Sequence, residues 1–174
     1  EGSYEIVSDP IRFKEILIDD SNLIFETFEY NYHKSPLIAI AISNKLGTFI
    51  VEPDTIFSSI DFMLYLSDKN NHKSIFDYKR AYVLLKRLGF ELDGIDFDLL
   101  LATYILNPTI AKEEFKNIAD FYQNNDVLYD EQIYGKGAKK FIPELKIIYH
   151  HMTKKAIFLR HVKEQALSML KEKK

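Results

Sequence analysis

Three short stretches of the chain gather side chains able to ligate a metal or a phosphate. Asp93, Asp96 and Asp98 place three carboxylates close together, and carboxylate oxygen is the donor that hard divalent cations prefer. Asp98, however, directly precedes an apolar run, where its side chain can cap a helix, and Gly94 marks a turn beside Asp93. Structural roles account for this set. Gly135-Lys136-Gly137-Ala138-Lys139-Lys140 lacks the GxxxxGK[ST] spacing of a phosphate loop and the third glycine of a dinucleotide fingerprint, so it reads as a basic loop. His150 and His151 are adjacent; on a helix they project in different directions, and no H-E-x-x-H pattern surrounds them. No G-x-S-x-G elbow for a serine hydrolase occurs. With Cys 0, a disulfide framework, a zinc-thiolate site and a thiol nucleophile are excluded together.

The elements that must position any site follow from periodicity. Leu23 to Glu29, Leu37 to Ile42 and Thr48 to Val51 are β-branched, aromatic or continuously apolar and read as strands. Asn44-Lys45-Leu46-Gly47 is the turn that makes the second and third an antiparallel hairpin. From Thr55, Ile56, Ile60, Met63, Leu64 and Leu66 recur at helical spacing up to the polar run Ser67–Asn71. Ser74-Ile75-Phe76 reads as a short strand leading to Asp77, the N-cap of a helix that carries Ala81 and Leu85 and stops at Gly89. Asp98 caps a helix over Leu99–Leu106, closed by Asn107-Pro108. A weaker helix lies around Phe115, Ile118 and Tyr122, and after Pro143 a long amphipathic helix runs from Leu145 to Leu170. Strands followed by alternating helices and strands give an α/β chain: a mixed sheet with an antiparallel opening, flanked by helices.

Composition limits what this scaffold does. The 174 residues make one domain at about 100–200 residues per domain, and the 47% hydrophobic content supplies one real core. Lys+Arg 23 against Asp+Glu 26 leaves a formal net charge of -3, without the basic surplus of a free-standing nucleic-acid binder. No run reaches the ~18 apolar residues of a membrane span, and the start has no signal-peptide pattern. The expectation is a cytoplasmic monomer with no membrane association.

Glu29-Tyr30-Asn31-Tyr32-His33-Lys34-Ser35-Pro36, the block from Lys73-Ser74-Ile75-Phe76-Asp77 through Phe97-Asp98-Leu99-Leu100-Leu101-Ala102-Thr103-Tyr104-Ile105-Leu106-Asn107-Pro108, and Tyr134-Gly135-Lys136-Gly137-Ala138-Lys139 resemble the 3′-5′ exonuclease-type domain of bacterial DNA polymerase I. The resemblance covers nearly the whole chain and is greatest to the branch whose proofreading site has degenerated. It implies a ribonuclease H-like fold for residues 1–174. An active member needs four carboxylates, because two divalent cations about 3.5–4 Å apart clamp the scissile phosphate. The first motif, Asp-x-Glu on the opening strand, matches Thr27 and Glu29, so one acid of two survives. Glu26 does not restore it, since residues three apart face opposite sides of a strand. The second motif, Asn-x-x-x-Asp, falls on Asp77 and Ala81. The third, Tyr-x-x-x-Asp on the last helix, falls on His151 and Lys155, where a carboxylate has become an ammonium.

With three of four ligands gone, the resemblance implies a vestigial exonuclease domain without a metal or other cofactor, Mg2+ being expected only in the polymerase site of the parent. The parent would synthesise DNA in replication and repair, with this domain folded against its polymerase portion and meeting DNA only through it. An active proofreading exonuclease and a free-standing interaction module sharing the fold are the alternatives. Lys155 is expected in the same cleft as Glu29, standing in for the lost cations.

Overall fold

The structure, a computed structural model, describes residues 2–28, 36–110 and 114–173. Among the described residues six strands form one mixed sheet: β1 (Glu5–Ile6), β2 (Ser21–Thr27), β3 (Leu37–Asn44), β4 (Gly47–Val51), β5 (Lys73–Ile75) and β6 (Ile95–Asp98), in the order β1-β4-β3-β2-β5-β6. β2, β3 and β4 pair antiparallel, while β5 and β6 join β2 in parallel. This is the expected antiparallel opening, with Asn44 opposite Gly47 at the hairpin turn.

Period-two alternation sorts the sheet's side chains into two cores. Ile24, Ala39, Ala41 and Ile50 face one layer, built from α5 (Leu99–Leu106), α6 (Phe115–Phe121) and α8 (Leu145–Glu172). Leu23, Ile40, Ile42 and Phe49 face the other, built from α1 (Pro10–Ile16), α2 (Pro53–Phe57), α3 (Ile60–Ser67) and α4 (Tyr78–Arg87). α8 places Ile148, Met152, Ala156, Leu159, Val162 and Ala166 in the first core, the stripe its spacing predicts.

The single helix expected from Thr55 is two, because Ser58 and Ser59 interrupt it: Ser59 Oγ accepts the Phe62 amide at 3.0 Å and starts α3 anew. β1 and α1 are additional; β1 is too short to show a period, and α1 begins at Pro10 after the Asp9 cap. β6 is likewise additional, running from the Gly94 turn to the Asp98 cap. α7 (Asp130–Tyr134) and a 3-10 turn at Gly137–Lys139 fill the glycine-lysine region. No helix among the described residues is long and apolar enough to cross a membrane.

Candidate functional site

β2 runs parallel to β5 and continues past its end, and a small cavity of about 60 Å³ lies along that stretch of β2 beyond the carboxyl end of β5. Its walls include Thr27 from β2, Asp77 and Ala81 at the start of α4, and Lys155 from α8. Four of the six motif positions therefore share one cavity, although they are scattered in the sequence. His151 sits one helical turn before Lys155 on the buried side of α8 and reaches the site through Asp130. Glu29 lies outside the described residues, as does the string from Glu29 to Ser35.

Among the described residues of β2, Glu26 is the acid that meets Lys155. Successive residues of β2 reach helices on opposite faces of the sheet: Glu26 Oε1 accepts from Lys155 Nζ of α8 at 2.9 Å, whereas Thr27 Oγ1 accepts from Arg80 Nη2 of α4 at 2.9 Å. A register shift between Glu26 and Thr27 marks the end of regular pairing with β3, and both residues line the cavity. Glu26, set aside on strand parity, is thus placed against Lys155, while its facing relative to Glu29 lies outside the described residues.

Asp130, at the start of α7, completes the cluster. Its Oδ1 lies 2.9 Å from Lys155 Nζ and 2.7 Å from His151 Nε2. Tyr134, one turn further along α7, donates its hydroxyl to Glu26 Oε2 at 2.7 Å. Burial alone would lower the Lys155 pKa, but the charges of Asp130 and then Glu26 override it and hold the ammonium protonated above the ordinary lysine range. Burial would raise Asp130, yet the Lys155 charge and the His151 hydrogen bond keep its carboxyl well below the usual range. Burial, reinforced by the Glu26 charge, pushes the Tyr134 phenol far up. Lys155 also lies 5.8 Å from the centre of the Phe115 ring.

Glu26, Asp130 and His151 bring ligand atoms within 4.8 Å of one another, so the donor types for one ion are present. Lys155 donates into two of these three groups. The cavity lining holds four carboxylates, Glu26, Asp77, Glu114 and Asp130, together with Thr27, Ala81 and Lys155; Asp77 is engaged as the cap of α4, accepting from Arg80 N at 3.2 Å. Asp130, Tyr134 and Arg80 carry no sequence signal as site residues; α7 is too short for a hydrophobic period, and Asp130 reads as a loop acid.

The remaining candidates hold structural roles. Asp98 accepts from the amides of Leu101 (3.2 Å) and Tyr78 (2.9 Å), joining the starts of α5 and α4. Asp96 pairs with Lys163 at 3.1 Å, and Asp93 accepts from the Gly94 amide at 2.7 Å. His150 is exposed and lines a surface pocket together with His151 and Lys154.

Residues 23–162 match the family model described as DNA polymerase I, ribonuclease H-like domain. The chain is 41% identical over 143 residues to the DNA polymerase I of Bacillus caldotenax, covering 82% of this chain and 16% of that protein. It is 38% identical over 157 residues to the DNA polymerase I of Geobacillus stearothermophilus, covering 90% of this chain and 18% of that protein. The chain thus spans less than a fifth of the relatives' length. Among solved structures, RNase D of Escherichia coli, described as an exoribonuclease involved in structured RNA processing, superposes with a TM-score of 0.73 at 11% identity over 98% of this chain and 46% of that one; at that identity the likeness concerns the fold alone.

Proposed function

Because the chain belongs to the ribonuclease H-like domain family of DNA polymerase I, we propose that it is a non-catalytic 3′-5′ exonuclease-type domain, retained as a folded part of a polymerase that carries out DNA-templated synthesis in replication and repair. The observation that carries this reading is the Lys155 ammonium, 2.9 Å from both Glu26 and Asp130, at the position where the third motif of an active member supplies a metal-binding carboxylate. An ammonium cannot ligate a cation, and its charge opposes a cation's approach. It neutralises the buried Glu26 and the partly exposed Asp130, carboxylates that would otherwise need a metal or a proton. The parent's partners follow from the same reading: the polymerase portion of the same chain, DNA through that portion, and no membrane, in a cytoplasmic monomer.

The alternative of an active exonuclease draws on one observation, the closeness of Glu26, Asp130 and His151. One assay separates the two. The purified protein is incubated with a 3′-labelled single-stranded oligonucleotide and Mg2+ or Mn2+, and release of nucleotides is followed. No metal-dependent release is expected, since two-metal sites supply many orders of magnitude in rate. Degradation that requires the metal and disappears in Asp130→Ala overturns the proposal.

A further inference from the structure

α5 is apolar on every side, reading Leu99-Leu100-Leu101-Ala102-Thr103-Tyr104-Ile105-Leu106. Helices of that kind are normally covered all round. Leu99, Leu100, Ala102 and Thr103 are buried, but Leu101 and Ile105, one turn apart on the same outward stripe, are 58% and 48% exposed. Beside α5 runs β6, the last strand of the sheet order, whose outer side pairs with no strand among the described residues. Between them and the start of α4 lies a groove of about 860 Å³ that exposes Leu101 along with Tyr78 and Tyr104. Unpaired sheet edges and apolar stripes are both features that proteins cover.

Two observations bear on the occupant. The relatives extend far beyond this domain, which makes up 16% and 18% of their length. The charged groups of the groove are Asp77, Asp93, Asp96 and Asp98 against Lys79 and Arg80; with Asp96 paired to Lys163 a small acidic surplus remains, which disfavours nucleic acid and suits a basic protein segment. We propose that this face docks a segment of the remaining parent polypeptide, one that presents apolar side chains to the Leu101–Ile105 stripe, basic side chains to the acids, and extended main chain to the β6 edge. The inference rests on the reading of this chain as part of a DNA polymerase I.

Hydroxyl-radical footprinting with mass-spectrometric readout tests it, comparing the 174-residue chain with the intact parent polymerase at matched radical dose. Oxidation of Leu101, Tyr104 and Ile105 is expected to fall about five-fold or more in the parent, as for side chains in the dry centre of an interface. Introducing Leu101→Asp and Ile105→Asp into the parent is expected to restore oxidation at Tyr104, while the thermal midpoint of the 174-residue chain is unchanged because both positions lie outside its core. Equal oxidation of Leu101 and Ile105 in chain and parent overturns the proposal. So does protection of these residues in the 174-residue chain by a single-stranded oligonucleotide, which would assign the face to nucleic acid. Failure of the non-catalytic reading appears in the nuclease assay, failure of the docking face in the footprint, so the two are distinguishable.

Discussion

Lys155 Nζ and Glu26 Oε1 stand 2.9 Å apart with their side chains only 7% and 4% exposed. Taking two charges from water is costly, so such a pair contributes little net stability over an apolar replacement, yet removing one partner leaves the other uncompensated. Lys155→Met is therefore expected to destabilise the fold by about 3–5 kcal/mol, read as a lower urea midpoint at neutral pH. The double variant Lys155→Met/Glu26→Gln is expected to recover part of that loss. A Lys155→Met protein as stable as the parent sequence would show that the pair bears no such charge debt.

The acid limb of stability tests the second carboxylate. Asp130 has a folded pKa held below its ordinary value of 3.8 by the Lys155 charge and the His151 hydrogen bond, against the opposing effect of its burial. Its contribution is therefore fully present above the unfolded pKa and is lost as pH falls through about 4 and below. Asp130→Asn is expected to flatten the decline of denaturation free energy on the acid side. An unchanged acid limb in that variant contradicts the network.

Much of this arrangement is legible in the sequence, for identifiable reasons. The apolar runs of β3 and β4 and the long apolar stripe of α8 record burial directly, and Asp77 and Asp98 record helix starts because capping needs their chemistry at one position. Lys155 is legible as a charge inversion within a motif. Its partners are not. Glu26 is buried among strand residues that look apolar by parity, and Asp130 arrives from a five-residue helix with no period of its own. Contacts between residues more than a hundred positions apart, such as Tyr134 with Glu26, depend on how α7 closes over the sheet.

Lys73 predicts a second pH dependence. It is fully buried, with its ammonium donating to the carbonyls of Tyr65 (2.8 Å), Leu66 (3.3 Å) and Asp68 (3.1 Å), where it caps the end of α3. Burial lowers its pKa to about 8 from 10.5. Between those values the unfolded chain binds more protons than the folded one, so this group makes stability rise with pH from about 8 to about 10. Tyr65, pushed up to about 12 by burial, acts in the opposite direction above about pH 10, where the unfolded phenol ionises first. Urea titrations at successive pH values check the rise, and Lys73→Met is expected to abolish it.

Affinity for DNA is expected to be low in the isolated domain. The net charge is -3, and two of the cations of α4 are already engaged: Arg80 donates to Thr27 at 2.9 Å, and Lys86 lies 5.5 Å from the centre of the Tyr82 ring. Fluorescence anisotropy with a single-stranded oligonucleotide is expected to give a Kd weaker than about 1 µM at physiological salt. A tighter, salt-dependent Kd would mean that a local basic patch outweighs the total charge.

Tyr134 offers the most selective probe of the site, because one atom can be removed with little change of shape. Its hydroxyl donates to Glu26 Oε2 at 2.7 Å, and its ring is 1% exposed and meets Phe28 edge to face with centroids 5.8 Å apart. Tyr134→Phe keeps the ring contacts and deletes only the donor, leaving a buried carboxylate oxygen without that bond. Loss of a buried donor of this kind costs about 1–3 kcal/mol, the expected change in denaturation free energy. Glu26 would then depend on Lys155 alone among these two donors, so the effect of Tyr134→Phe should be smaller when Glu26 is already Gln, whose amide no longer holds a charge. The double-mutant cycle reads this as a coupling of about 0.5–3 kcal/mol. Additive effects of the two substitutions would show that the Tyr134 hydroxyl and the Glu26 charge do not sustain each other, and that Lys155 alone neutralises the acid at the end of β2.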